Sequence, residues 1–135
     1  MKSVADIMSR NVTTLDRNDA LSAVGDLMKV ERIRHIPILD ERGMLAGIVS
    51  QRDLFLSGLV RALGFGTNAT AKVLDSLLVK EVMTTDVLTT APNTPLREAA
   101  ALMRDRKIGC LPVIAGDALV GILTEGDFVA AAASS

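Results

Sequence analysis

Apolar positions along this chain arrive in the same order twice. Leu21, Val24 and Leu27-Met28 fall on one helical face, and Leu96, Ala99-Ala100 and Met103 repeat that stripe in the second half. Ahead of each stripe stands a short β-branched stretch, Val12-Thr13-Thr14-Leu15 and Val87-Leu88-Thr89-Thr90, and both are predicted as strands. Behind each come two apolar runs joined by turn residues. Ile36-Pro37-Ile38-Leu39 and Leu45-Ala46-Gly47-Ile48-Val49 flank Asp40-Glu41-Arg42-Gly43, while Leu111-Pro112-Val113-Ile114 and Leu119-Val120-Gly121-Ile122-Leu123 flank Ala115-Gly116-Asp117. Both sets read as hairpins. A proline inside the same strand of both copies predicts an edge position or a specified kink. The second hairpin strand then runs into a helix led by Ser50 or Thr124, the first of these helices extending from about Arg52 to Leu63. Each copy is therefore strand, helix, strand, strand, helix.

The register of the repeat is tight. Val4-Ala5-Asp6-Ile7-Met8 returns as Val79-Lys80-Glu81-Val82-Met83, and Pro37 aligns with Pro112. After one deletion the match resumes, with Gly47-Ile48-Val49-Ser50-Gln51-Arg52-Asp53 against Gly121-Ile122-Leu123-Thr124-Glu125-Gly126-Asp127. Asp19 and Thr94 occupy matching positions before the first helices and are expected as N-caps, with Pro95 in the first turn. Residues 1–63 are expected to form the first unit, 64–78 a linker with a short helix near Ala71 to Leu78, and 79–135 the second unit. Each copy is too small to be comfortably stable alone, so the two are expected to share one core. A duplicated body brings any site as a related pair.

Composition narrows the function. Of 135 residues, 49% are hydrophobic and 23% charged, a globular balance, and the formal net charge is −1. There is no basic run to neutralise a phosphate backbone, Trp and Tyr are absent and Phe numbers three, so general nucleic-acid binding is disfavoured. Cys110 is the sole cysteine, which excludes an intrachain disulfide and fits a reducing compartment. It is expected to be small, buried and inert. One His and one Cys provide no metal-ligand spacing. No nucleophile–base pair can be read either, so the expectation is no enzyme and no catalytic residue. Met8, Met28, Met83 and Met103 are expected as core filler or dimer surface. The Leu54–Phe65 stretch is too short to span a bilayer and carries Arg61, and no signal peptide opens the chain; the expected location is the cytoplasm, away from membranes.

Two segments stand out chemically, Ser50-x-x-Asp53 and Thr124-x-x-Asp127. Either can be a helix capping box, in which hydroxyl and carboxylate each bond the other residue's backbone N–H. The duplication, the hydrophobic-Pro-hydrophobic strands (Ile36-Pro37-Ile38, Leu111-Pro112-Val113) and the repeated Gly-apolar-apolar-Ser/Thr-x-x-Asp together resemble a tandem pair of CBS domains, a Bateman module, over about Val4 to Phe128. The resemblance implies an α+β fold of two βαββα repeats packed sheet to sheet as a pseudo-two-fold pair, a common homodimer, and a regulatory module sensing AMP, ADP or ATP in a cleft between the repeats. The alternatives are an S-adenosylmethionine or other adenosyl sensor, and a ligand-free dimeric scaffold that regulates a partner protein.

The resemblance also assigns residues. One site would join Val12, Thr13, Arg34, His35 and Ile36 with Ile122, Thr124 and Asp127. The other would join Val87, Leu88, Gly109, Cys110 and Leu111 with Ile48, Ser50 and Asp53, with Arg52 assisting. The aspartate would accept from two ribose hydroxyls, since a carboxylate offers two acceptor oxygens. Main chain near Ile36 and Leu111 would read the adenine edge, and Ile122 or Ile48 would cover the base. Arg34 and His35 match basic, phosphate-contacting positions of some members, whereas Gly109 and Cys110 bring no charge; the Arg34/His35 site is therefore expected to be the better one for a nucleotide. Against this, Arg34 also suits a solvated surface, His35 also suits a helix end, and their bulk could fill the site instead.

Overall fold

The computed structural model describes residues 2–55 and 76–134. Its elements are α1 (Val4–Ile7), β1 (Leu15–Asp16), α2 (Leu21–Glu31), β2 (His35–Leu39), β3 (Leu45–Ser50), a helix described over residues 51–55, a 3-10 turn (Val79–Glu81), α3 (Leu96–Arg106), β4 (Cys110–Ala115), β5 (Ala118–Thr124) and α4 (Glu125–Ser134). The strands form two small sheets, β1-β2-β3 and β4-β5. The predicted linker from Gly64 to Thr70, most of the short helix expected from about Ala71 to Leu78, and the first-copy helix beyond Phe55 lie outside the described residues.

Compact units do not follow the serial order of the chain. One consists of Thr13–Val87, the other of Met1–Val12 together with Leu88–Ser135. The segment leading copy one thus belongs to the body of copy two, and the segment leading copy two belongs to that of copy one. In the first body Leu21, Val24, Met28, Ile36, Ile38 and Val49 share a core with Leu77 and Val79. In the second, Ala99, Met103, Leu111, Val113 and Leu123 share a core with Val4 and Met8. The helical stripe and the inward faces of the hairpin converge on these cores as the periodicity predicts. Met8, Met28 and Met103 are buried there, and Met83 packs against the first.

The leading segments are tied by paired backbone hydrogen bonds. Ser9 and Ile122 exchange both, each at 2.9 Å, and Thr84 and Ile48 do the same at 2.9 and 3.0 Å. This close approach explains the repeated glycine. A Cβ at Gly47 would lie 2.7 Å from the Thr84 carbonyl oxygen and 2.8 Å from Met83 Sδ; one at Gly121 would lie 2.7 Å from Met8 Sδ and 3.0 Å from the Ser9 oxygen. Only a residue without a side chain lets the neighbouring backbone come so near.

Two expectations about local structure need correction. The predicted strands at Val12–Leu15 and Val87–Thr90 shrink to Leu15–Asp16, parallel to β2, and to a single bridge from Thr90 to Val113. Thr90 N donates to the Pro112 oxygen and Ile114 N donates to the Thr90 oxygen. The next donor on that side of β4, two residues back, would be the nitrogen of Pro112, facing the Leu88 carbonyl; it has no hydrogen, and the ladder stops. Pro37 closes off β2 in the same way, before Thr13. A β-bulge follows each proline, at Ile38/Leu39 and Val113/Ile114, so the predicted kink is present in both copies.

The caps are the second correction. The residues at the N-caps of α2 and α3 are Ala20 and Pro95, one position later than expected. Asp19 instead accepts from Asp16 N (2.8 Å) and Thr94 Oγ1 from Ala91 N (3.3 Å), so both close the turn ahead of the helix. Both helices end alike, on the left-handed residues Arg32 and Lys107, each at φ 55°. Ile33 N then reaches back to the Met28 oxygen and Ile108 N to that of Met103, and both isoleucines pack on their cores, a Schellman ending with its apolar contact.

Candidate functional site

Each hairpin delivers its second strand into a helix, and the Ser/Thr-x-x-Asp motif occupies that joint in both bodies. In the first, Ser50 N donates to Asp53 Oδ2 (3.0 Å) and Asp53 N donates to Ser50 Oγ (3.1 Å), a reciprocal capping box. In the second, Thr124 N donates to Asp127 Oδ2 at 2.8 Å, and the Thr124 hydroxyl points to the same oxygen at 3.2 Å instead of receiving an N–H. Asp127 Oδ1 receives a further bond from Ser9 Oγ at 2.8 Å. Capping is therefore real at both aspartates. It leaves part of each carboxylate available, since the two oxygens together offer about four acceptor positions.

The residues predicted to lie before the proline are brought to the same joint by strand register. His35 pairs with Ser50 and Cys110 with Thr124, each in its own hairpin. Gln51 N donates to the Arg34 oxygen (2.8 Å), and Glu125 N to that of Gly109 (3.2 Å), tying the start of each helix to the opening of the hairpin. Arg34 and Arg52 are exposed; Thr13, His35, Ile48, Ser50, Asp53 and Val87 are partly exposed in the first body. In the second, Val12, Gly109, Thr124 and Asp127 are partly exposed. Ile36 and Leu111 are fully buried in their cores, so only their main chain can meet a ligand. Ile122 is 8% exposed, and both its backbone N–H and its carbonyl are taken by Ser9.

Cys110 is buried, and burial alone pushes its thiol up to about 12. The neutral thiol therefore persists at physiological pH, as the inert reading requires. Asp127 also forms part of the wall of a shallow groove of about 340 Å³ with Lys2, Asp6, Ala130 and Ser134. A larger groove of about 610 Å³, lined among others by Thr90, Thr94, Glu98 and Asp105, contains none of the predicted site residues. Among the described residues, no group of three or more His, Cys, Asp or Glu side chains could hold a metal, and no helix is long and apolar enough to cross a membrane.

Ser9 was missed by sequence reasoning. The signal was present, because Ser9 aligns with Thr84 directly behind the repeated methionine. What could not be read was that this leading segment folds onto the other copy, where Asp127 lies.

Comparisons with known proteins agree on what this architecture is. The CBS domain family model matches residues 4–58 and 79–134. The CBS domain-containing protein YhcV of Bacillus subtilis is 34% identical over 94% of this chain and 83% of its own length. Homoserine O-acetyltransferase of Methanohalophilus mahii is 34% identical over 90% of the chain, which spans only 23% of that enzyme. Among solved structures, a Vibrio cholerae protein provisionally described as an acetoin utilization protein superposes with TM-score 0.83 at 42% identity, covering 99% of this chain and 92% of its own. CBSX2 in complex with AMP superposes at 0.81, and the domain pair of MJ0100 with 5′-methylthioadenosine and S-adenosyl-L-methionine at 0.79; each is 26% identical and covers 99% of this chain and 98% of its own.

Proposed function

The chain belongs to the CBS domain family, and on that premise we propose that it is a regulatory module whose ligand is an adenine nucleotide, AMP, ADP or ATP. The observation that carries the reading is the fixed carboxylate at each strand-to-helix joint, Asp53 and Asp127, held by the backbone N–H of the Ser or Thr three residues earlier. A carboxylate oriented in this way offers its remaining lone pairs to a ribose diol. The nearby start of a helix favours a phosphate, through its unpaired N–H groups and its dipole. Related CBS pairs have been crystallised with AMP and with adenosyl compounds, which supports a ligand built on adenosine.

In this proposal the better nucleotide site is the one that draws on Arg34, His35 and Asp127. Arg34 is exposed and carries a guanidinium fork suited to a phosphate. The set that includes Gly109, Cys110 and Asp53 has no cation at the positions that match Arg34 and His35, only the assisting Arg52 beside Asp53, and Cys110 is a neutral buried thiol. That difference favours, for this set, a ligand without a strongly anionic tail, such as S-adenosylmethionine. Binding would change the module's interaction with itself as a homodimer or with a regulated protein partner; turnover of the nucleotide forms no part of the reading.

Isothermal titration calorimetry with AMP, ADP, ATP and S-adenosylmethionine is the test. One ligand is expected to bind in the micromolar range, and Asp127→Ala is expected to weaken it by about tenfold or more while the protein stays folded. Absence of heat with all four at millimolar concentration overturns the proposal and leaves the aspartates as caps.

A further inference from the structure

Asp127 and Asp53 occupy the same position in the repeat and, among the described residues, hold different numbers of donors. Asp127 Oδ2 already accepts two, Thr124 N at 2.8 Å and Thr124 Oγ1 at 3.2 Å, and Oδ1 accepts Ser9 Oγ at 2.8 Å. With about two lone-pair directions per carboxylate oxygen, one acceptor position is left, on Oδ1. A vicinal diol brings two hydroxyl donors. Asp127 alone cannot take both without releasing a bond it already makes.

Ser9 provides the missing acceptor. Its hydroxyl gives its one proton to Asp127 and keeps two lone pairs, and both Ser9 and Asp127 are partly exposed residues. The backbone fixes its place, since Ser9 exchanges two hydrogen bonds with Ile122, two residues before Thr124. Asp53 differs. Its Oδ2 accepts Ser50 N, and no bond joins it to Thr84, the counterpart of Ser9, among the described residues. Among the described residues Asp53 accepts only that bond, which leaves capacity on both oxygens for a diol.

We infer that Ser9 determines ribose specificity at the Asp127 site: one ribose hydroxyl donates to Asp127 Oδ1 and the other to Ser9 Oγ, whereas at Asp53 the carboxylate takes both. This rests on the adenosine reading above. It adds that the N-terminal segment, through a single hydroxyl, takes part in recognition by the second copy.

The experiment titrates AMP, 2′-deoxy-AMP and 3′-deoxy-AMP into the full chain and into Ser9→Ala, Ser9→Thr and Thr84→Ala. Ser9→Ala also frees the position that Ser9 fills on Asp127 Oδ1, but both hydroxyls of the diol must then share that one oxygen. The variant is expected to weaken AMP by about five- to tenfold and to leave one of the two deoxy analogues unchanged, because that analogue lacks the hydroxyl Ser9 receives. Ser9→Thr, which keeps the hydroxyl, stays within about twofold of the wild type, as does Thr84→Ala. Equal weakening of all three ligands by Ser9→Ala would mean that Ser9 only supports the fold, and overturns the inference. So does full retention of AMP affinity by Ser9→Ala. If the unmutated chain binds neither AMP nor its analogues, the nucleotide reading falls and this inference with it; in the other two overturning outcomes that reading survives.

Discussion

The body built on Thr13–Val87 and the body built on Leu88–Ser135 with Met1–Val12 repeat one construction down to single bonds, yet they present different chemistry at the same joint. Both have the glycine under the leading segment, the proline that halts the parallel ladder, the bulge after it and the left-handed helix end. At the joint, Arg34-His35 faces one motif in strand register, and Gly109-Cys110 faces the other. The shared features are those that close a core. The unshared ones are surface side chains and the bonds around one carboxylate. Packing makes the same demands on both bodies, whereas side chains at the surface are not held alike by a core.

Matched substitutions in the two bodies test this division. The largest effect is expected from Ile36→Ala and Leu111→Ala, since both side chains are fully buried at equivalent core positions. Each should cost about 2–5 kcal/mol in urea unfolding, and near-equal losses would show that the cores carry similar weight. A much smaller loss at one of them would break the symmetry. Next come Gly47→Ala and Gly121→Ala, each expected to cost about 1–3 kcal/mol because the new methyl meets the leading segment. Gly47→Ala should be the worse of the two. Its methyl meets a backbone oxygen at 2.7 Å, whereas at Gly121 the 2.7 Å contact is with the movable Met8 sulfur. Equal or reversed losses in the same unfolding assay would refute that ranking. The smallest effect has the opposite sign: Arg32→Gly and Lys107→Gly should each raise stability by about 0.5–1 kcal/mol by relieving a left-handed backbone, visible as parallel upward shifts of the thermal midpoint.

Much of this was legible from residues alone, for identifiable reasons. Helical stripes and hairpins were legible because periodicity reports which side chains face a core, and Leu21, Val24 and Met28 do. The Ser/Thr-x-x-Asp boxes were legible because both partners lie within four residues. The lengths of the first strands were misjudged because β-branched residues at 12–15 and 87–90 speak only for their own backbone. The hydrogen that the ladder lacks belongs to Pro37 and Pro112, more than 20 residues further on. The caps were misplaced by one position because Asp19 and Thr94 suit a turn as well as a helix start. Ser9 was invisible for a stronger reason. It meets Asp127 across 118 residues, through an exchange of leading segments that no local pattern encodes.

That exchange turns a repeated sequence into something other than two modules in a row. Cutting the chain between the copies would not release two small domains. It would yield two halves, each holding a tail shaped for its sister's core and each missing the tail its own core requires. Val4 and Met8 would be left without Leu111 and Leu123, and Val79 without Leu21 and Ile36. The halves are therefore complementary fragments, each completed by a segment of the other, and the covalent continuity of the chain keeps two mutually dependent partners in permanent reach of each other.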